Sequence, residues 1–497
     1  MTVAVWDAVV IGAGVTGLSA AVAMQRQGLQ VMVLEAGPTV GGVVQSEWLD
    51  TSAGPVLVEW GPHTVQGSAK ALLTLAEEHY LQPQAAHESA KFRYIWKNNR
   101  LVAVPMSPWE AVTTPLLSVG AKLRLLREPF IAPAKTDSSV AEWVTRRLGP
   151  DVLENLLGPF LSGVYAGDPA QMSARATLKT LTGFEQEAGS VIAGAFSAIQ
   201  QKKREKKKAK KLEIVAGNEK KLSPLTLYNF EDGMHAFPNA LANALPEGLL
   251  HFNASVHGIE IDESCGYRVV TATHTWRTKT VVCTAPAHAT EALLNGLPSD
   301  STIQAQQALA AIPYAPMAVV HTLVPLSLFG SLSPNMVAPV GGFGCLIPRS
   351  SGLSILGNLW PHSLFPKRVP EGMALLTCFV GGATHPIVAQ WPLEYTEQVV
   401  LQDLQALFHL PKPIDPVHIV SRLWPYAIPQ YTTGSDGGHL ARAAALEAFQ
   451  AQQPGLFLGG NYLGGVALND CVRQGQRLAQ CVEEYCAQPA RVAQPVA

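Results

Sequence analysis

Residues 12–17 read Gly12-Ala13-Gly14-Val15-Thr16-Gly17, and what stands on either side of them decides the fold. Before them, Ala4 to Ile11 is a short run rich in β-formers that predicts a buried parallel strand. After them, Leu18 to Gln27 is rich in Ala, Leu, Val and Met and predicts a helix. Val31-Met32-Val33-Leu34 predicts a second strand, closed by Glu35. Strand, glycine turn, helix, strand and acid make the unit that binds a dinucleotide. Gly12 permits the tight turn, Gly14 removes a side chain where a pyrophosphate must approach, and Gly17 lets helix and strand pack closely. The helix that opens at Val15 and Thr16 aims free N–H groups at the diphosphate. Glu35 can accept hydrogen bonds from a ribose diol, whereas its charge would repel a 2′-phosphate.

The next stretch, Glu35-Ala36-Gly37-Pro38-Thr39-Val40-Gly41-Gly42-Val43, places a Gly-Gly pair soon after the acid. A second loop of bare backbone suits a long cofactor lying across the domain. The pattern resembles the flavin-binding start of the amine oxidase and phytoene desaturase superfamily, which implies FAD. Further on, Glu59-Trp60-Gly61-Pro62-His63-Thr64 reads as a turn whose Gly61 lets backbone approach a flat ring. His63 reads there as a turn or surface residue before it reads as a catalyst.

Composition bounds the rest. At 497 residues the chain has room for two or three lobes. A net charge of −2 points to neither nucleic acid nor an acidic tail. Only 15% of residues are charged, against a usual quarter or so, which leaves room for an apolar surface patch. The seven cysteines are scattered without a CxxC pair, so neither a metal site nor a disulfide framework is expected, and a reducing compartment fits. Ala8 to Gln25 is uncharged, but its three glycines hold the turn of the nucleotide motif. Residues 301–349 are uncharged until Arg349, but Pro313, Pro316, Pro325, Pro334 and Pro339 rule out a continuous spanning helix. No targeting segment precedes the first strand, so a cytoplasmic protein is expected, or a plastid one if the source is plant-like.

The expected class is α/β: a Rossmann-like nucleotide lobe, a mixed α+β second lobe and an all-helical insertion. The nucleotide lobe is assigned to 1–88, 228–300 and 420–497, the second lobe to 89–105 and 301–419, and the insertion to 106–227. Phe92 to Trp96 and Leu101 to Pro105 flank Asn98-Asn99 and predict a hairpin. Pro108 to Leu126, Ser138 to Leu148 and Asp151 to Leu157 are helical by periodicity, with an N-cap signal at Ser138-Ser139. The basic run Lys202 to Lys211 lacks interleaved aromatics and reads as a solvated loop. Near the end, Gly455 to Tyr462 is a strand entering glycines, and Gly464 to Asp470 leads a final helix.

Four stretches carry a more specific resemblance: Phe160 to Pro169 (FLSGVYAGDP), Gly342 to Pro348 (GFGCLIP), Trp424 to Tyr431 (WPYAIPQY) and Leu458 to Tyr462 (LGGNY). They resemble the oxygen-dependent protoporphyrinogen IX oxidases, most of all the cyanobacterial and plastid branch, from Trp6 to about Glu484. The resemblance implies removal of six electrons from protoporphyrinogen IX in three rounds. Each round passes hydride to FAD, and O2 reoxidises the flavin to give H2O2. It also implies that Arg93 binds a propionate, Phe379 stacks on a pyrrole ring, Leu346 and Leu359 clamp another, and Gly163 lines the slot. For FAD it implies Gly12, Ala13, Gly14, Val15, Thr16, Gly17, Glu35, Ala36, Gly42 and Gly61-Pro62-His63-Thr64. Val256 would meet the adenine, Trp424 would wall the flavin, and Val466-Ala467-Leu468 would meet the ring and ribityl chain. No protein side chain is required as acid or base, since catalysis here rests on placement beside the flavin. The helices near 106–150 correspond to a lobe that docks peripherally on membranes, and a homodimer is left open.

Two other readings compete. Another flavin oxidase or desaturase would act on an amine or a carotenoid: amine oxidases tend to place a lysine near the flavin and an aromatic cage for the amine, and a carotenoid desaturase would not need Arg93. A non-catalytic flavin- and porphyrin-binding protein would hold both molecules yet produce no peroxide.

Overall fold

A computed structural model describes residues 5–212, 223–297, 299–330, 340–434 and 437–488 of the chain. Pro334 and Pro339 lie outside the described residues.

The opening run does form a buried parallel strand, Val5–Ile11, between Val31–Leu34 and Thr275–Cys283. The whole sheet runs Leu250–His251, Val31–Leu34, Val5–Ile11, Thr275–Cys283, Gly266–Thr271, Val256–Asp262. Leu456–Leu458 adds in parallel to Thr275–Cys283. Three distant segments therefore build one sheet. On one face pack the helix Val15–Arg26 and the last helix, Leu468–Ala487, through Leu18, Met24, Val472 and Leu478. On the other pack the helices Asp300–Ala310 and His439–Gln452, through Ala305, Leu309, Leu446 and Phe449.

A second sheet runs His418–Pro429, Tyr314–Pro325, Met373–Gly381, Ile355–Leu359, Gly344–Leu346, Arg93–Lys97, Arg100–Ala103. Strand alternation gives it two different faces. Ala318, Val320, Cys378 and Cys345 pack on one side with Val400 and Leu404 of the helix Leu393–Leu407. Met317, Val319 and Leu375 face the other way, onto Val56, Val58 and Trp60 from the nucleotide side of the molecule. The predicted hairpin is present, and Asn98 and Asn99 both take positive φ, as a tight two-residue turn requires.

The helical segments between 108 and 212 have their own core around Val140, Trp143, Val144 and Leu161. Its ionic centre is buried. Glu128 and Glu185 both pair with Arg147, at 3.1 and 2.9 Å, and Glu128 also accepts from the backbone N–H of Val191 at the start of the helix Val191–Leu212. Ser139 caps the helix Val140–Arg147 with a capping box to Glu142. Among the described residues no helix is long and apolar enough to cross a membrane.

Several expectations need correction. The boundary at 420 falls inside the strand His418–Pro429, which pairs along the second sheet. The boundary at 300–301 falls in a helix that packs in the nucleotide core. Pro108–Leu126 is not continuous: Pro115 ends the first helix at Thr113, and Val119–Leu125 forms the next. Leu153–Leu157 widens into a π turn just before Pro159, whose ring would collide with a carbonyl four residues back in a regular α turn. The run 202–211 is backbone of the helix Val191–Leu212 rather than a loop. Lysine, arginine, glutamate and alanine are good helix formers, and no glycine or proline interrupts them.

Candidate active site

The two glycine loops meet backbone to backbone. Gly41 N–H donates to Ala13 O at 2.9 Å, Gly14 and Gly41 form a parallel bridge, and Gly12 and Gly42 both take positive φ. A Cβ on Gly17 would lie 2.0 Å from Gly12 O, so this glycine serves packing, whereas a Cβ on Gly14 would meet nothing within 4 Å. Gly14 thus borders open space beside the start of the helix Val15–Arg26, which has no side-chain cap and no acid in its first turn. Uncapped N–H groups at a bare-backbone helix start suit a diphosphate. Glu35 folds back on this turn: Oε2 accepts from Ala13 N at 2.7 Å and Oε1 from Gly37 N at 2.8 Å. Ala254 N donates to Glu35 O at 2.8 Å and Asn253 N to Gly37 O, which brings the start of the Val256 strand to the same end, beside Ala36.

The last helix arrives from the other direction. Its N-terminus, at Val466-Ala467-Leu468, also lacks a side-chain cap, and Gly465 before it takes positive φ. Trp424 donates from Nε1 to Trp60 O at 2.8 Å, which ties the second sheet to the loop Gly61-Pro62-His63-Thr64. Gly61 differs from expectation, because its missing Cβ would fall 2.0 Å from Val43 O. The absent side chain therefore makes room for the neighbouring chain. His63 is also corrected: it is buried, and its Nδ1 lies 3.0 Å from Gly61 O. Burial pushes its pKa down to about 4. Its ring stands edge-on to Phe379, with centroids 5.6 Å apart.

The second sheet contributes a strip of side chains through its register. Arg93 pairs with Gly344, Gly344 with Leu359, Leu359 with Thr377, and Thr377 with His321. Two residues along, Leu346 pairs with Gly357 and Gly357 with Phe379. Residues opposite each other, or two apart on one strand, share a face. Arg93, Leu346, Leu359 and Phe379 therefore stand on one face, with glycines between them. Gly163, on the helix Gly158–Tyr165, closes over it: a Cβ there would lie 2.6 Å from Leu346 Cδ2.

Arg93 is the charged member. It is half-buried, its guanidinium carbon lies 5.2 Å from the Phe343 ring centre, and among the described residues its buried Nε has no hydrogen-bond partner. Burial lowers its pKa, with no carboxylate acting the other way. A cation held so, at the end of an apolar strip, is short of an anion.

The structure also gathers residues that the sequence reading passed over. His321 is fully buried, edge-on to Trp60 at 4.9 Å, and held by Thr377 at 2.9 Å. Arg422 lies over the Trp60 ring at 4.3 Å. Glu59 is buried and accepts from Ser46, Asn229 and Met234, with Arg368 at 3.6 Å, and its burial raises its pKa to about 7. A lone histidine inside Val319-Val320-His321-Thr322-Leu323 was a visible oddity, but only the register says what it touches. A cavity of about 270 Å³ opens between the helical segment and the last helix, lined by Phe160, Tyr165, Leu178, Tyr431, Gly465 and Asp470, next to Gly163 and to Val466-Ala467-Leu468.

Comparison with known proteins agrees with this layout. The flavin containing amine oxidoreductase family matches residues 15–483. The chloroplastic protoporphyrinogen oxidase 1 of Arabidopsis thaliana is 31% identical over 96% of this chain and 88% of its own length. The chloroplastic protoporphyrinogen oxidase of Oryza sativa subsp. japonica is 32% identical over the same shares. Among solved structures, cyclohexylamine oxidase from Brevibacterium oxydans superposes with a TM-score of 0.68 at 18% identity, covering 98% of this chain and 100% of that one. The cofactor is FAD, and the bare Gly14 surface, the uncapped helix starts and Glu35 fit it. The chain belongs to the flavin-containing amine oxidoreductase family.

Proposed function

We propose that this protein is a protoporphyrinogen IX oxidase of tetrapyrrole biosynthesis, and that Arg93 and the apolar strip beside it hold the substrate. The observation that carries the reading is Arg93, a half-buried cation without a carboxylate partner among the described residues, at the end of the face bearing Leu346, Leu359 and Phe379. Its guanidinium pairs one propionate bidentately and so fixes orientation as well as adding energy. Phe379, steadied edge-on by His63, offers an aromatic face to a pyrrole ring. Leu346 and Leu359 clamp a second ring, and Gly163 keeps the helix close to them without a side chain in the slot. When bound, FAD supplies the hydride acceptor. The chain supplies a dry, shaped slot that sets a bridging carbon against it.

Glu35 with the Gly12-to-Gly17 turn holds the nucleotide half, and Trp424, Val466, Ala467 and Leu468 border the ring half. O2 serves as final electron acceptor in each of three rounds, giving H2O2. The helical segment rests on a membrane surface: Trp109, Val119, Leu126 and Phe130 are 75, 74, 70 and 88% exposed. So much apolar area toward water points to a peripheral contact.

Anaerobic mixing tests the central claim. The yellow flavin band of the purified protein should bleach on addition of protoporphyrinogen IX and return with air, while porphyrin fluorescence rises. A band unmoved by the porphyrinogen would leave only a binding protein, and bleaching by simple amines instead would move the chain to the amine oxidases.

A further inference from the structure

Arg93 marks one end of the substrate strip, and the other end also holds a cation. Strand Gly344–Leu346 is followed at once by Ile347, Pro348 and Arg349. Among the described residues Arg349 makes one hydrogen bond, from a terminal guanidinium nitrogen to Gly381 O at 2.9 Å. Gly381 ends the strand that carries Phe379. The same nitrogen lies 3.2 Å from where a Cβ on Gly382 would stand, and Ala166 O lies 2.8 Å from that point. Ala383 N donates to Ala166 O, so this is the place where the turn after the helix Gly158–Tyr165 docks on the sheet. Gly163, which closes the slot over Leu346, is three residues before Ala166. Arg349 therefore stands at the rim of the slot, beyond Phe379.

Among the described residues Arg349 makes no ion pair: Asp168 is near enough for its charge to be felt, but its Oδ1 accepts from Ala170 N and its Oδ2 from Gln171 Nε2. Arg349 as a residue is exposed at the rim, while partial burial of its guanidinium lowers its pKa, a cost that an anion bound there would offset. The separation is also suitable. Arg93 and Gly381 are three strands apart and four residues apart along the register, roughly 20 Å between Cα atoms. The Arg349 guanidinium stands at the Gly381 end of that span and Arg93 at the other, a separation on the scale of a tetrapyrrole with its carboxylate arms.

Resting on the substrate slot proposed above, we infer that Arg349 is a second carboxylate site. The slot would then accept a porphyrinogen bearing carboxylates on opposite edges, as well as one bearing both on a single edge. Protoporphyrinogen carries its two propionates side by side, within reach of Arg93 alone. A tetracarboxylate such as coproporphyrinogen presents a further propionate at the far rim. Arg349 is thus a specificity determinant and not part of the chemistry.

The test uses the FAD-loaded protein and fluorescence quenching on titration with coproporphyrin and protoporphyrin, alongside turnover of the two porphyrinogens. Arg349→Gln keeps an N–H for Gly381 O and removes the charge. It should weaken coproporphyrin binding about tenfold and leave protoporphyrin within about twofold. Arg349→Lys, which keeps the charge, should hold coproporphyrin within about threefold of the unaltered protein. Equal weakening of both porphyrins by Arg349→Gln, or of neither, overturns the assignment. If the unaltered protein binds protoporphyrin but not coproporphyrin, this inference alone falls. If it binds neither, the reading of the slot falls with it.

Discussion

Gly163 and Leu346 touch across the boundary between helix and sheet, with only the missing methyl of the glycine keeping Leu346 Cδ2 in place. The helix Gly158–Tyr165 is thereby fixed at one height above the substrate strip. Gly163→Ala should displace the leucine tip and raise KM for the porphyrinogen severalfold. Gly163→Val should cost about 1–3 kcal/mol of stability as well, through overpacking. Steady-state kinetics and thermal melts on the two variants separate these effects.

Loss of Arg93 should be felt in binding before it is felt in chemistry. A charge-assisted hydrogen bond contributes about 1.5–3 kcal/mol, so Arg93→Ala should lower kcat/KM roughly 10- to 100-fold, mainly through KM. Arg93→Lys should recover part of this, since a point charge lacks the bidentate fork. An unchanged KM in Arg93→Ala would place the carboxylate elsewhere.

The glycine turn offers a paired test of fold against cofactor. Gly14→Ala places its methyl in open space, so the protein should fold with its melting temperature little changed yet retain FAD at least tenfold less tightly. Gly17→Ala drives its methyl onto Gly12 O and should destabilise the apoprotein itself, by about 1–3 kcal/mol. Absorbance at the flavin band, measured with melts of the cofactor-free forms, distinguishes them.

Two buried groups should bend the pH–stability curve in opposite senses. Burial raises the Glu59 pKa from 4.5 to about 7, so its favourable contribution is complete below about pH 4.5 and is lost as pH rises through 7. Burial lowers the His63 pKa from 6.5 to about 4, so its contribution is complete above pH 6.5 and is lost as pH falls through 4. Glu59→Gln should flatten the alkaline-side decline and His63→Gln the acid-side one. Denaturant melts from pH 4 to 8 read both slopes.

The apolar surface of the helical segment can be tested without touching the slot. Replacing Trp109 and Phe130 together with serine should cut co-sedimentation with lipid vesicles at least tenfold, since each buried aromatic contributes about 1.5–3 kcal/mol. Flavin content and turnover of detergent-dispersed substrate should stay as they were. Unaltered sedimentation would remove this surface from the membrane contact.

How much of this was legible depended on the range of the interactions. The turn at Gly12 is local: a positive φ, an open side at Gly14 and a tight approach at Gly17 are each readable from six residues in their strand–helix setting. The capping box at Ser139 and the Asn98-Asn99 turn were readable for the same reason. The burial of His63, the contacts of His321 and the collar of donors around Glu59 depend on strands hundreds of residues apart in sequence. Family resemblance pointed to Arg93 and Phe379, but only the register shows that glycines at 344 and 357 separate the strip's large side chains. The boundary at 300–301 was misplaced because the helix Asp300–Ala310 belongs by its packing to the preceding core.

The strand Leu456–Leu458 completes the first sheet by pairing with Thr275–Cys283, and the helix behind it brings Val466 to Leu468 to the ring half of the cofactor site. During translation, then, the nascent chain cannot close this pocket until the stretch through Leu468 has cleared the ribosome. Flavin capture waits for that stretch, and a transcript truncated ahead of Leu456 should yield a colourless product however well its first forty residues fold.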